Sequence, residues 1–210
     1  MTREAASRED PAVLDGLGAR LRQERVRAGL SQREIARRLG FSPSLISQLE
    51  SGQSRPSVGT LYAIVRELGV SLDRLIRGDD ALEGAPSTPA STDSLLPLHP
   101  GNRPTIDLDS GVRWEELSAR EDGVDFLLAT YAVGGASTSD ESLIRHQGRE
   151  YGYVVRGTLH VRIGFREHVI GPGGSISFDS TTPHRLENRG PEPVEAIWFV
   201  VGRDTEPRGD

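Results

Sequence analysis

The chain has 210 residues, 35% hydrophobic and 5% aromatic, with a formal net charge of −6. That length allows one large domain or two small ones, and no stretch nears the ~18 apolar residues of a membrane span. There is no cysteine, which excludes disulfides and thiolate zinc sites. The segment Met1–Pro11 is charged and offers no apolar signal-peptide core, so a cytoplasmic protein with no membrane partner is expected. Charge is unevenly placed: residues 1–77 hold 13 Arg against 9 acids, and residues 78–210 hold 12 Arg against 22. Opposite signs in the two halves suggest that only the front half meets a polyanion.

Residues 12–77 read as five helices. Leu14, Leu17 and Leu21 mark the first, with Gly29 as its C-cap. Ser31 caps the second, with Glu34 three residues on as a capping box and Ile35, Ala36 and Leu39 as its buried stripe. Ser42 caps the third, and Pro43 takes the first position, where a missing N–H costs nothing. Ile46 and Leu49 point inward there, leaving Ser44, Ser47 and Gln48 outward. Val58–Leu68 and Leu72–Ile76 supply two more helices.

Two short helices joined by a tight Gly turn form a helix-turn-helix. The stretch Ser31–Ile76 resembles the phage-repressor-like, or xenobiotic-response-element, family of DNA-binding domains. The resemblance implies that the third helix enters the major groove, with Ser42, Pro43, Ser44, Ser47 and Gln48 toward base edges. It also places Gln32 and Arg55 on phosphates. Gln bonds adenine in a bidentate way and Ser bonds either edge, while a helix N-terminus favours a phosphate. Arg22 or Arg25 is a further phosphate candidate. The plainer alternative is a protein-interaction bundle that no longer binds DNA.

Residues 78–105 are rich in Gly, Pro, Ser and Asp and read as a flexible linker. From Ile106 to Gly202 the texture is that of an all-β domain. Strands are expected at Val112–Leu117, Phe126–Val133, Tyr151–Val155, Leu159–Phe165, Ser175–Phe178 and Ala196–Val201.

Two segments in this half carry chemistry. His146, Glu150 and Gly157 stand in the first, and Pro183, His184 and Asn188 in the second. Their spacing resembles the two signature motifs of the cupin superfamily. The resemblance implies a double-stranded β-helix barrel with His146, Glu150 and His184 directed inward. The family's first motif His is replaced by Ile144. Two His and one carboxylate still suffice for a facial triad. No cofactor is certain; one divalent metal ion (Fe, Zn, Ni or Mn) fits, and the alternative is a polar pocket that binds an organic effector directly. Tyr131 and Tyr153 are expected to line that pocket, with Phe178, Trp198 and Arg145 or Arg185. Each aromatic has the alternative of being a core or dimer contact. His160, His168 and His99 are expected to be solvated.

Together the halves imply a transcription regulator: a five-helix DNA-binding bundle followed by a β-barrel that binds a small-molecule effector. The barrel is expected to pair two chains so that their third helices read a dyad-symmetric operator. No catalytic residue is expected on this reading. The rival is a mononuclear iron cupin enzyme resembling the hydroxypropylphosphonate epoxidases. Their front domain contributes a Lys to the active site, whereas this chain has no Lys.

Overall fold

The computed structural model describes residues 14–70, 72, 75, 97–118 and 124–202. The front half contains α1 (Leu14–Arg27), α2 (Gln32–Leu39), α3 (Pro43–Glu50) and α4 (Val58–Leu68). Serine starts the last three. Ser31, Ser42 and Ser57 each accept the backbone N–H three residues on, from Glu34, Leu45 and Thr60, satisfying a donor that the first turn leaves orphaned. The capping box expected at Ser31 is half made: the Glu34 carboxylate accepts from Arg37 and Arg38. The apolar stripes meet in one core of Leu17, Leu21, Ile35, Ala36, Ile46, Leu49, Leu61, Ile64 and Val65. Gly18 is where α1 crosses α3; a Cβ there would lie 2.5 Å from the Leu49 carbonyl oxygen. Of the expected fifth helix only Leu72 and Leu75 are described, both helical and buried. Four complete helices are therefore seen among the described residues.

Linker residues 78–96 lie outside the described residues, and 97–104 lead into the β-domain. Among the described residues nine strands follow: β1 (Thr105–Leu108), β2 (Val112–Glu116), β3 (Val124–Tyr131), β4 (Arg149–Arg156), β5 (Leu159–Ile163), β6 (Arg166–Ile170), β7 (Ser175–Asp179), β8 (His184–Glu187) and β9 (Val194–Val201). All pairings are antiparallel. Among the described residues they form two sheets rather than a continuous closed barrel. One has six strands in the order β1-β2-β3-β9-β4-β7, and the other has three in the order β6-β5-β8. Isolated bridges Ala136↔Glu187 and Ile144↔His184 join one end of the small sheet to the loops of the large one. The sheets share a core: Leu127, Ala129, Val154, Ala196 and Val200 on one side, and Leu159, Val161 and Leu186 on the other. Strands β1, β6 and β8 were not expected. The four exposed residues of β6 break the alternation, as suits an edge strand protected by charge.

Candidate metal centre and nucleic-acid interface

Strand parity sets the interior of the β-domain. Along β4 the side chains alternate, so Glu150, Gly152 and Val154 face inward and Arg149, Tyr151 and Tyr153 face outward. On β8, His184 and Leu186 face inward. His146 lies just before β4, its N–H bonded to the Ser180 carbonyl at 3.0 Å. These placements bring His146, Glu150 and His184 together, each at most 5% exposed, with one ligand atom from each within 4.8 Å of the others. The expected trio is assembled.

Its geometry suits a cation. His146 Nδ1 lies 3.0 Å from the Gln147 carbonyl and His184 Nδ1 lies 2.9 Å from the Thr182 carbonyl. A carbonyl cannot donate, so both Nδ1 atoms carry the proton and both donate. This is the outer support usual for ligating histidines. The two Nε2 atoms then point at Glu150 Oε1 from 3.0 and 3.1 Å. None of these three converging atoms forms a hydrogen bond. Buried lone pairs facing one another are costly. They are satisfied either by extra protons on the imidazoles or by a metal ion among them. Burial by itself would raise the Glu150 pKa; the bonds and positive charge that His146 and His184 bring when protonated reverse this and hold it well below the usual carboxylate range. A divalent cation would act in the same direction. His146, Glu150 and His184 are the residues that would hold it, acting as a two-His, one-carboxylate set.

The other carboxylate oxygen is held separately. Trp198 Nε1 donates to Glu150 Oε2 at 2.6 Å. The indole reaches it by lying over Gly152, its register partner, where a Cβ would come within 1.9 Å of the ring. Glycine at an inward strand position is the sequence signal for such a close approach, and the sequence reading did not use it. Phe178 packs on His184 with ring centroids 4.9 Å apart. Tyr131 is buried beside the trio; burial, then the charge of Glu150 and the neighbouring Tyr62, push its hydroxyl pKa upward. Asn188 donates to the carbonyls of Tyr131, Ala132 and Glu192, so its role is to pin loops.

Tyr153 requires a correction. It is 48% exposed on the outer face and does not line the interior. It stands three residues after the inward Glu150, an odd step that reverses the face. Arg145 is exposed. Arg185 is tied to the Thr138 hydroxyl and the Asp140 carbonyl, bracing a loop rather than offering an anion site. His160 is half-buried on the outer side, and His168 and His99 are exposed, as expected.

On the DNA-binding side, Ser42, Pro43, Ser44, Ser47 and Gln48 are all exposed along one face of α3. Arg55 is half-buried in the following loop. Gln32 gives one amide hydrogen to Glu50 Oε2 at 2.7 Å. Arg25 is not available for phosphate: it is buried and binds Glu50 through Nε at 2.5 Å and Nη2 at 2.9 Å.

The two halves also touch one another. The N–H of Gly59, in the first turn of α4, donates to the Ser137 carbonyl at 3.0 Å, and the N–H of Asp109 donates to the Pro56 carbonyl at 3.0 Å. Tyr62 of α4 packs on Trp114 and on His146, with ring centroids 5.5 and 4.5 Å apart.

The family comparisons agree with this two-part arrangement. Residues 21–75 match the helix-turn-helix family and residues 127–200 match the cupin domain family. An uncharacterised HTH-type transcriptional regulator, y4dJ of Sinorhizobium fredii, is 45% identical over 62 residues, which is 30% of this chain and 77% of that protein. The chain belongs to the helix-turn-helix transcriptional regulators. It joins that DNA-binding domain to a cupin domain. The HTH-type transcriptional regulator PuuR of Escherichia coli is 26% identical over 171 residues, covering 81% of this chain and 86% of PuuR. The crystal structure of an HTH_3 family transcriptional regulator from Vibrio cholerae superposes with a TM-score of 0.65 at 21% identity. It covers 95% of this chain and all of that one, a likeness of fold. No helix among the described residues is long and apolar enough to cross a membrane.

Proposed function

We propose that this regulator binds a small-molecule effector at the His146–Glu150–His184 trio, with a divalent metal ion held there, and reads a dyad-symmetric operator as a homodimer. The observation that carries the proposal is the convergence on one point of three buried ligand atoms that have no hydrogen-bond partner. A metal at that point would supply a Lewis-acidic anchor for an effector oxygen. The protein's own part is to fix the two imidazoles through their Nδ1 protons and the carboxylate through Trp198.

The DNA contacts proposed are Ser42, Pro43, Ser44, Ser47 and Gln48 to bases, and Gln32 and Arg55 to phosphates. Their exposure on or beside α3 supports this. Pairing through the cupin domain is supported by the outer face of the large sheet. There Phe126, Leu128, Tyr151, Tyr153, Ile197 and Phe199 stand on neighbouring strands, with Phe126 and Phe199 stacked at 4.2 Å. Tyr153 thus takes the dimer-contact alternative. The linker proposed is 78–105, its last residue Thr105 being the first of β1, and the cytoplasm is the proposed location.

The test is elemental analysis of untagged protein together with operator binding. About one divalent metal per chain, absent from His184→Ala, supports the metal reading. No metal, with effector response lost in His184→Ala, leaves the organic ligand directly on the trio. The same trio would also suit an iron oxygenase, and oxygen consumption across candidate effectors in the presence of Fe(II) separates that reading from sensing.

A further inference from the structure

The trio is closed to solvent, and one of the groups that closes it belongs to the other domain. His146 is 5% exposed, with the ring of Tyr62 packed on it at 4.5 Å and tilted by 47°. Tyr62 itself is 8% exposed and lies against Trp114. Its helix is seated by a specific device. The Gly59 N–H, one of the orphan donors of the first turn of α4, is satisfied by the Ser137 carbonyl of the β-domain. Residue 59 must be small: a Cβ would lie 2.6 Å from Ile144 Cγ2 and 3.2 Å from Thr138 Cγ2. Ile144, which stands where the cupin motif has its first His, therefore faces the DNA-binding helix.

We infer that the effector site is a composite of both domains, closed by Tyr62 of α4, and that effector and docked helix compete for the space over His146. This rests on the proposal that the trio is the effector site. The slot that Tyr62 fills is walled by Trp114 and the His146 ring. It fits a ligand with a flat, apolar body in place of the phenol ring and an oxygen donor toward the trio. Such a ligand cannot enter while Tyr62 is seated. Binding it releases α4, and with α4 the domain that carries α3. The exposed residues of α3 lie outside this contact, so the seated form keeps its base-reading face open. What the ligand changes is how firmly that face is held relative to the β-domain. Competition of this kind is reciprocal: anything that unseats α4 opens the trio.

The test is histidine labelling by diethyl pyrocarbonate on the full-length, chelator-treated chain, read residue by residue by mass spectrometry. Two variants are compared with wild type. Tyr62→Ala removes the cover, and Gly59→Val wedges α4 away from Ile144 while leaving Tyr62 and the trio intact. His146 should label about tenfold faster in both, since access is governed by local opening. The exposed His168 should label at the wild-type rate, serving as the internal control. Unchanged His146 labelling in both variants overturns the inference. Faster labelling in Tyr62→Ala alone overturns the docking part and leaves the ring as a simple cover. Retained helical circular dichroism and a cooperative thermal unfolding transition identify a folded variant. If the trio takes up neither metal nor effector, the functional proposal fails while the labelling result still decides whether α4 closes the site.

Discussion

Glu50 and Glu150 are both carboxylates with side chains only 5% exposed, one in each domain. Glu50 is closed. Arg25 grips both its oxygens and Gln32 adds a third bond. Burial works against its charge, and Arg25 and then Gln32 outweigh that and lower its pKa. Arg keeps its charge at any working pH and presents donors in a fixed fork, so the Glu50 charge is permanently paired. Glu150 is open. Its partners are imidazoles, which can gain a proton, lose one or take a metal, and one of its oxygens has no hydrogen bond. A buried carboxylate is therefore structural or functional according to whether its partners saturate it.

The largest expected effect breaks the closed member of the pair. Arg25→Ala strands Glu50 and Gln32 and should cost about 3–5 kcal/mol in urea unfolding. A loss below about 1 kcal/mol would show that Glu50 finds water or another cation.

The open member should respond to metal instead. Zinc at about a hundredfold excess over its Kd should stabilise the wild type by about 2.7 kcal/mol. Glu150→Ala should abolish that gain, whereas Arg25→Ala should keep it. Equal stabilisation of Glu150→Ala would mean that the metal sits elsewhere.

Gly152→Ala sharpens the same contrast. The indole of Trp198 must move to make room, which overpacking data put at about 1–3 kcal/mol. It should also weaken metal binding, because Glu150 Oε2 loses its donor. Trp198 and Trp114 are the only tryptophans in the chain, so a shifted indole is visible in emission. Unchanged emission and metal affinity would contradict the close packing at Gly152.

On the exposed side, Gln48→Ala should leave stability within about 0.5 kcal/mol. It should cost about 1–3 kcal/mol in operator affinity and relax one base position. Wild-type affinity for a mapped operator would remove Gln48 from the contacts.

The smallest effect concerns Glu34, whose carboxyl is held at about 2 by Arg37 and then Arg38 on the surface of α2. With the unfolded value near ~4.3, its contribution to stability is fully present above that value. It is lost as pH falls toward about 2. NMR titration should find the low midpoint, and salt should raise it. A midpoint near the unfolded value in low salt would show that the two arginines do not engage it.

The sequence by itself determined the features that depend on neighbours a few residues away. The Ser31 and Ser42 caps and the outward face of α3 were legible because helix period and capping are local. The cupin spacing likewise located His146, Glu150 and His184. Tyr153 was legible too, since parity from Glu150 excludes it from the interior, but the period-2 count was not carried that far along β4. Tertiary structure alone decided the rest. Nothing near Gly152 in sequence says that an indole from β9 lies over it, and Tyr62 reads as an ordinary core residue of its helix. Nothing in the linker's composition shows that α4 seats on His146 across it. Such contacts form between surfaces far apart in the chain, and their partners are fixed by shape and by unsatisfied donors, not by any local periodicity.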